Sequence, residues 1–96
     1  MRWYDEFDAL ASCLEGLRSL SRRERARVVG GALEVITAVR PGFLDEHVAS
    51  FPLHRRRWYD DDSAETWMLF HALERGDATL REAVTAHLFE QMAVAA

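Results

Sequence analysis

The chain has 96 residues, a length that supports one compact domain with a single modest core. Because 49% of the residues are hydrophobic, an intrinsically disordered chain is excluded. All 12 cationic residues are arginine, which is typical of a GC-rich bacterial genome, and 16 acidic residues give a formal net charge of -4. Domains that bind nucleic acid usually carry net positive charge, so this class of partner is not expected.

The cysteine content and the N-terminal residues predict a cytoplasmic protein. Cys13 is the only cysteine, so no intrachain disulfide can form and a reducing compartment fits best. Acidic residues stand where a signal peptide would have its apolar segment, and no apolar run is long enough to cross a bilayer. We therefore expect no membrane partner.

Two helices are predicted in the first part of the chain. The first, over residues 3–19, carries an apolar seam with 4-3-4-3 spacing: Trp3, Phe7, Leu10, Leu14 and Leu17. The second, over residues 21–39, begins with the capping box Ser21 and Glu24 and ends before residues 40–42. Because a glycine pair weakens a helix interior, we expect Gly30 or Gly31 to pack closely against a neighbouring helix.

The remaining elements complete an all-α bundle. We predict helices over residues 43–50, 63–75 and 78–93, with one long irregular stretch over residues 51–62. We find no internal repeat, linker or low-complexity tract. The short link between the first two helices favours an antiparallel hairpin. The predicted fold is one domain spanning residues 1–96, a four- to five-helix bundle built from antiparallel helical hairpins.

The irregular stretch contains the first candidate for a partner-binding site. It joins a cationic block to an acidic block through two aromatic residues, and arginine, tryptophan and tyrosine are enriched in binding hot spots. The predicted partner-binding residues are His54, Arg55, Arg56, Arg57, Trp58, Tyr59 and, on the next helix, Trp67. The alternative is that the two rings fold back onto the core as a lid. We expect the exposed arrangement.

A second arginine cluster lies at the link between the first two helices. Arg18, Arg22, Arg23, Arg25 and Arg27 fall within ten residues there. Cations are mildly unfavourable in the first turn of a helix, so an anion-binding or partner-binding surface is one interpretation. The other interpretation is a solvated polar end, partly balanced by Glu15 and Glu24.

Two further patterns suggest an enzyme. His71 with Glu74 and His87 with Glu90 are spaced to project from one helical face, as metal-binding residues of helical bundles do. The spacing from Arg81 to His87 resembles the Arg-x(4-6)-His motif of the HEPN ribonucleases, which implies a helical, RNA-cleaving bundle. That resemblance covers two residues, and Glu82 departs from the residue usual at its position.

The sequence as a whole predicts a small cytoplasmic binding protein. Its function would be that of an adaptor, an accessory subunit or an inhibitor of a larger protein partner, and it could form a homodimer. We expect no metal and no other cofactor. The alternatives are a helical hydrolase or metal protein that uses His71, Glu74, Arg81, His87 and Glu90, or a nucleic-acid binder that uses both arginine clusters.

Overall fold

The computed structural model describes residues 2–95, and it describes side chains as far as residue 93. This part of the chain is an all-α bundle without a β-strand, as predicted. Its six α-helices are α1 (Asp8–Ser19), α2 (Arg22–Val39), α3 (Phe43–His47), α4 (Trp58–Asp62), α5 (Ala64–Arg75) and α6 (Ala78–Ala95). Two short 3-10 helices cover Trp3–Glu6 and Val48–Ser50.

The long helices begin where the polar caps predict. The hydroxyl of Ser21 accepts from the amide of Glu24 at 3.2 Å, and the hydroxyl of Ser63 accepts from the amide of Thr66 at 3.1 Å. Asp77 caps α6 in the same way through the amide of Leu80, at 2.9 Å. Each cap satisfies one of the amide groups that a helix N-terminus leaves without a carbonyl.

Two boundaries differ from the predicted ones. The first helix is broken at Phe7, so residues 3–6 form a separate 3-10 turn ahead of α1. Part of the predicted irregular stretch is helical, because α4 occupies residues 58–62. The turn before α3 depends on Gly42, whose φ of +83° lies in the left-handed region that favours glycine.

The chain is built from two similar halves, so the expectation of no internal repeat is wrong. Residues 2–5 and residues 57–60 both read Arg-Trp-Tyr-Asp, and both sequences form a short helical turn. A 12-residue helix, a two-residue link and an 18-residue helix follow in each half. Every boundary of α5 and α6 lies 56 positions after the matching boundary of α1 and α2. We call residues 2–39 the first half and residues 57–95 the second half.

The two halves contact each other mainly through α2 and α6, which form the most extensive helix pair. The helix α1 packs on α6, and α5 packs on α2 as well as on α4, so each contacts the long helix of the other half. Gly31 of α2 faces His87 of α6, where a Cβ atom placed on the glycine would lie 2.7 Å from Nε2. These two residues occupy equivalent positions, so their contact lies on an approximate two-fold axis. Gly31 thus meets the close-packing prediction, whereas Gly30 has nothing within 4 Å of such an atom.

Arg25 and Arg81 occupy equivalent positions, and each contacts both its own half and the other half. Arg25 donates to the carbonyls of Leu17, at 2.9 Å, and of Arg18, at 3.1 Å, at the end of α1. Arg81 donates to the matching carbonyls of Leu73, at 2.9 Å, and Glu74, at 3.1 Å. Each guanidinium also lies over an aromatic ring of the opposite half: Arg25 over Trp58 and Arg81 over Phe7.

Candidate partner-binding site

The segment between the halves leads into an exposed stretch without helix or strand, residues 52–57, which we call the strap. The backbone is extended at Phe51, just before the strap, and at Arg57, its last residue. Every residue of the strap is exposed, and Leu53 is 86% exposed, the largest value among the large hydrophobic residues described. The backbone of residues 53–56 makes no hydrogen bond to any other residue that the structure describes. An extended backbone with free donors and acceptors is the form in which peptide segments pair with a partner.

The strap is anchored at its start by aromatic packing. Phe51 is only 4% exposed and its ring lies 5.7 Å from the ring of Trp67 and 6.0 Å from that of His71. The indole nitrogen of Trp67 donates to the carbonyl of Pro52 at 2.7 Å. Trp67, predicted as a partner-binding aromatic, is half-buried and holds the strap in place.

A buried carboxylate lies beneath the strap. The side chain of Asp60 has no solvent exposure, and its Oδ1 lies 2.8 Å from Nε2 of His71. Its Oδ2 lies 3.2 Å from Nδ1 of His54 in the strap and accepts from the amide of Arg57 at 3.3 Å. A buried carboxylate must be hydrogen-bonded or paired, and here two imidazoles and one amide surround it.

His71 joins this buried carboxylate to a second one near the surface. Its side chain is 3% exposed, and its Nδ1 lacks a hydrogen-bond partner within the described region. The nearest carboxylate oxygen on that side is Oε1 of Glu74, at 3.6 Å. A cavity of about 310 Å³ adjoins the pair, lined by Phe51, Pro52, His71, Glu74 and Arg75. The His71 and Glu74 pair predicted from spacing is therefore real, with Asp60 on its inner side.

The two aromatic residues after the strap belong to the core, so the expectation that they are exposed is wrong. Tyr59 is 3% exposed and its ring stacks on Phe70 with centroids 4.1 Å apart. Trp58 is half-buried, with its ring 5.5 Å from the ring of Phe70. Both rings are placed there because α4 forms and turns its apolar face inward. Of the predicted set, His54, Arg55, Arg56 and Arg57 remain exposed.

The second arginine cluster likewise contains some residues that hold the fold together and some that are exposed. The Arg25 side chain is 13% exposed and forms an ion pair with Asp62 at 2.6 Å, so it is structural. Arg27 pairs with Glu24 at 3.0 Å and donates to Gln91 at 2.9 Å. The other three members are exposed and have no side-chain partner among the described residues: Arg18, Arg22 and Arg23.

The structure joins the two arginine clusters at one edge of the bundle. Arg25 extends from the start of α2 to Asp62 and to the ring of Trp58, and so places α4 beside the start of α2. Five exposed arginines without a described side-chain partner flank this junction, and we call them the free-arginine surface: Arg18, Arg22, Arg23, Arg56 and Arg57. Arg55 is excluded because it lies 3.3 Å from Asp61.

The residues of the enzyme alternative do not converge. Arg81 caps the end of α5, His87 packs against Gly31 on the two-fold axis, and Glu90 is exposed. Within residues 2–95, no group of three His, Cys, Asp or Glu side chains is arranged so that it could hold a metal ion. Sequence reasoning missed Asp60 as a site residue, and the repeated Arg-Trp-Tyr-Asp is the signal that could have revealed it.

The comparisons give no relative from which a function could be transferred. No protein-family model, no curated protein and no solved structure matches the chain significantly. Within the part of the chain that the structure describes, no helix has the length and apolar character needed to cross a membrane.

Proposed function

We propose that this protein is a small binding protein whose strap and free-arginine surface dock onto an acidic surface of a larger protein. The observation that carries this proposal is the strap itself, a fully exposed segment without helix or strand that presents Leu53 beside three arginines. The role would be that of an adaptor, an accessory subunit or an inhibitor.

The charge distribution supports an acidic partner. The chain as a whole carries a formal net charge of -4, yet five arginines without a described side-chain partner gather at one edge. Arginine binds carboxylates in a planar, bidentate geometry and keeps its charge at all physiological pH values. A cationic edge on an acidic protein therefore favours one orientation of approach and speeds association with an acidic surface.

The exposed apolar side chain of Leu53 favours a protein partner over a polyanion such as nucleic acid. Leu53 offers a large side chain with nothing covering it, beside a cavity of about 380 Å³ that Trp67 and Ser63 also line. Burial of a leucine side chain in a partner pocket contributes about 1.5–3 kcal/mol. Nucleic-acid binding would not need an exposed leucine in the cationic strap.

The proposal places the protein in the cytoplasm of a bacterial cell. Cys13, the only cysteine, is 4% exposed in the core, and burial raises the pKa of its thiol above the ordinary value. A buried thiol of this kind is inert, as expected for a structural cysteine in a reducing compartment.

Photocrosslinking at the strap tests the proposal. A photoreactive amino acid replaces Leu53 in one variant and Phe89, which is 54% exposed on α6, in the control variant. We expect crosslinking from position 53 to a discrete acidic protein in a native lysate, and none to that protein from position 89. With the purified partner, Leu53→Ala should weaken binding about tenfold, as loss of a buried apolar anchor does.

A matched pair of charge variants separates local from general electrostatics. Arg56→Gln and Ala38→Glu each lower the net charge by one, but Ala38 lies about 20 Å along α2 from Arg25. We expect Arg56→Gln alone to slow association and weaken binding. Capture that disappears on nuclease treatment, or equal effects of the two substitutions, would contradict a protein-docking strap.

A further inference from the structure

We propose that His54 and His71 form a proton-operated latch that fastens the strap to the bundle through Asp60. This inference deepens the proposed function by assigning a form of regulation to the same site. The latch itself consists only of contacts within this chain, so it can be tested without any partner.

The first support is the position of Asp60. Its carboxylate is fully buried, and among the side chains that the structure describes, those of His54 and His71 are the cationic or proton-bearing ones in contact with it. A buried carboxylate gains most from a partner that carries charge, because a charge-assisted hydrogen bond is roughly twice as strong as a neutral one. Protonation of either imidazole therefore tightens its contact with Asp60, and only His54 belongs to the strap.

The second support is the environment of His71, which has a carboxylate at each ring nitrogen. When Nε2 donates to Asp60, a neutral ring leaves Nδ1 as a buried acceptor with no donor beside it in the described structure. A protonated ring has N–H groups on both sides, and the second one points toward Glu74, 3.6 Å away. A charged ring therefore meets a carboxylate on each side.

Charged groups from each neighbouring element act on the latch. Asp60 and Asp61 of α4, Glu74 of α5 and the strap residue Arg55 surround the two imidazoles. Arg75, on the far side of His71, is directed to the carbonyl of Ser50 at 3.3 Å. The carboxylates outnumber the cations, and the closest of them to both imidazoles is the buried Asp60.

Release of the latch frees the middle of the strap but not its ends. Phe51 and Trp67 hold the start by apolar packing, and α4 holds the end through Trp58 and Tyr59. Between these points the strap has only His54 and the exposed pair of Arg55 with Asp61, and exposed pairs contribute little. A closed latch keeps the strap extended and so reduces the entropy that a partner must remove on binding.

Tryptic cleavage within the strap measures the latch directly. Trypsin must bind the residues on both sides of the bond it cuts, and the closed latch holds His54 against Asp60. Cleavage after Arg55 and Arg56 is therefore faster when the strap opens, and it follows the population of the opened state. The rate at each pH is divided by the rate for a free peptide of residues 51–62, which removes the pH dependence of the protease. We expect the normalised rate to rise about three- to tenfold between about pH 6 and about pH 8, as one charge-assisted hydrogen bond is weakened.

Cleavage after Arg22 and Arg23 serves as the internal control, because these residues are exposed on α2 and contact neither imidazole. We expect His54→Gln, a change at the surface, to give rapid strap cleavage that no longer depends on pH. Asp60→Asn should do the same, with circular dichroism to check that it remains folded. Strap cleavage that follows the α2 sites at every pH, or an unchanged profile in His54→Gln, would overturn the latch and leave the docking proposal intact.

Discussion

The two halves of the molecule begin with the same four residues and use them differently. In both turns the aspartate accepts a hydrogen bond from the arginine amide three residues earlier: at 3.0 Å from Arg2 to Asp5, and at 3.3 Å from Arg57 to Asp60. Asp5 stays at the surface, where the Arg2 side chain pairs with it at 2.9 Å. Asp60 is fully buried and pairs with two histidines instead.

The partner residue on the following helix explains the difference. The position that holds Glu15 in the first half holds His71 in the second. Glu15 accepts from the hydroxyl of Tyr4 at 2.5 Å and pairs with Arg2 at 2.7 Å. Because an imidazole replaces that carboxylate in the second half, the aspartate can turn inward without repulsion. One substitution thus converts a structural ion-pair cluster into a buried acid beneath an exposed strap.

The largest expected effect tests whether the aromatic turns are equivalent parts of the core. Trp58→Ala removes a half-buried ring that packs on Phe70, and should lower the free energy of unfolding by about 2–4 kcal/mol. Trp3→Ala removes the matching ring and should cost a similar amount. Chemical denaturation measures both. If Trp58→Ala leaves the free energy of unfolding unchanged, Trp58 is not part of the core and the original prediction that it binds a partner is restored.

The arginine clamps should differ in strength although their positions match. Arg25→Ala removes the ion pair of Asp62, whose carboxylate keeps only the hydroxyl of Thr66, and removes the guanidinium donor to three carbonyls at the end of α1, so we expect a loss of about 2–3 kcal/mol. Arg81→Ala leaves two carbonyls and should cost about 1–2 kcal/mol. Equal losses in thermal or denaturant unfolding would mean that the ion pair with Asp62 adds nothing.

The paired glycines should respond in opposite directions. Gly31→Leu places a side chain against His87 at the two-fold axis and should destabilise by about 1–3 kcal/mol. Gly30→Ala adds a methyl group in open space and should stabilise by about 0.5–1 kcal/mol through helix propensity. Melting temperatures that rise for both substitutions would show that α2 and α6 are not closely packed.

The smallest expected effect is a loss of folding stability in alkaline solution, caused mainly by Tyr4 in the first half. Burial, and then the hydrogen bond and charge of Glu15, raise the pKa of the Tyr4 hydroxyl well above its usual range. The folded state therefore favours the protonated phenol, a contribution that is complete below about pH 10 and is lost as the pH rises above it. Tyr4→Phe should reduce this alkaline loss, which pH-dependent denaturation would measure. Burial also raises the pKa of Tyr59, so part of the loss should remain.

Local signals in the sequence predicted the class of fold and the helix start at Ser21, because a cap depends on residues three positions apart. Contacts that join distant segments could not be read in this way. The pairing of Arg25 with Asp62 spans 37 residues, and no periodicity indicates it. The sequence identified His71 and Glu74 by their spacing, but Asp60 was interpreted only as part of an acidic helix start. The repeated Arg-Trp-Tyr-Asp was visible in the letters and was overlooked.

The contact between Gly31 and His87 has a consequence for how such a protein could arise. Two identical half-chains assembled as a dimer would place the same residue on both sides of the symmetry axis. Two glycines there would leave a hole, and two histidines would collide, because even a Cβ atom opposite His87 lies 2.7 Å from its Nε2. Fusion into one chain removes this constraint, since each copy can then change its residue independently. In an origin by duplication, the asymmetric pair of Gly31 and His87 could form only after the halves were fused.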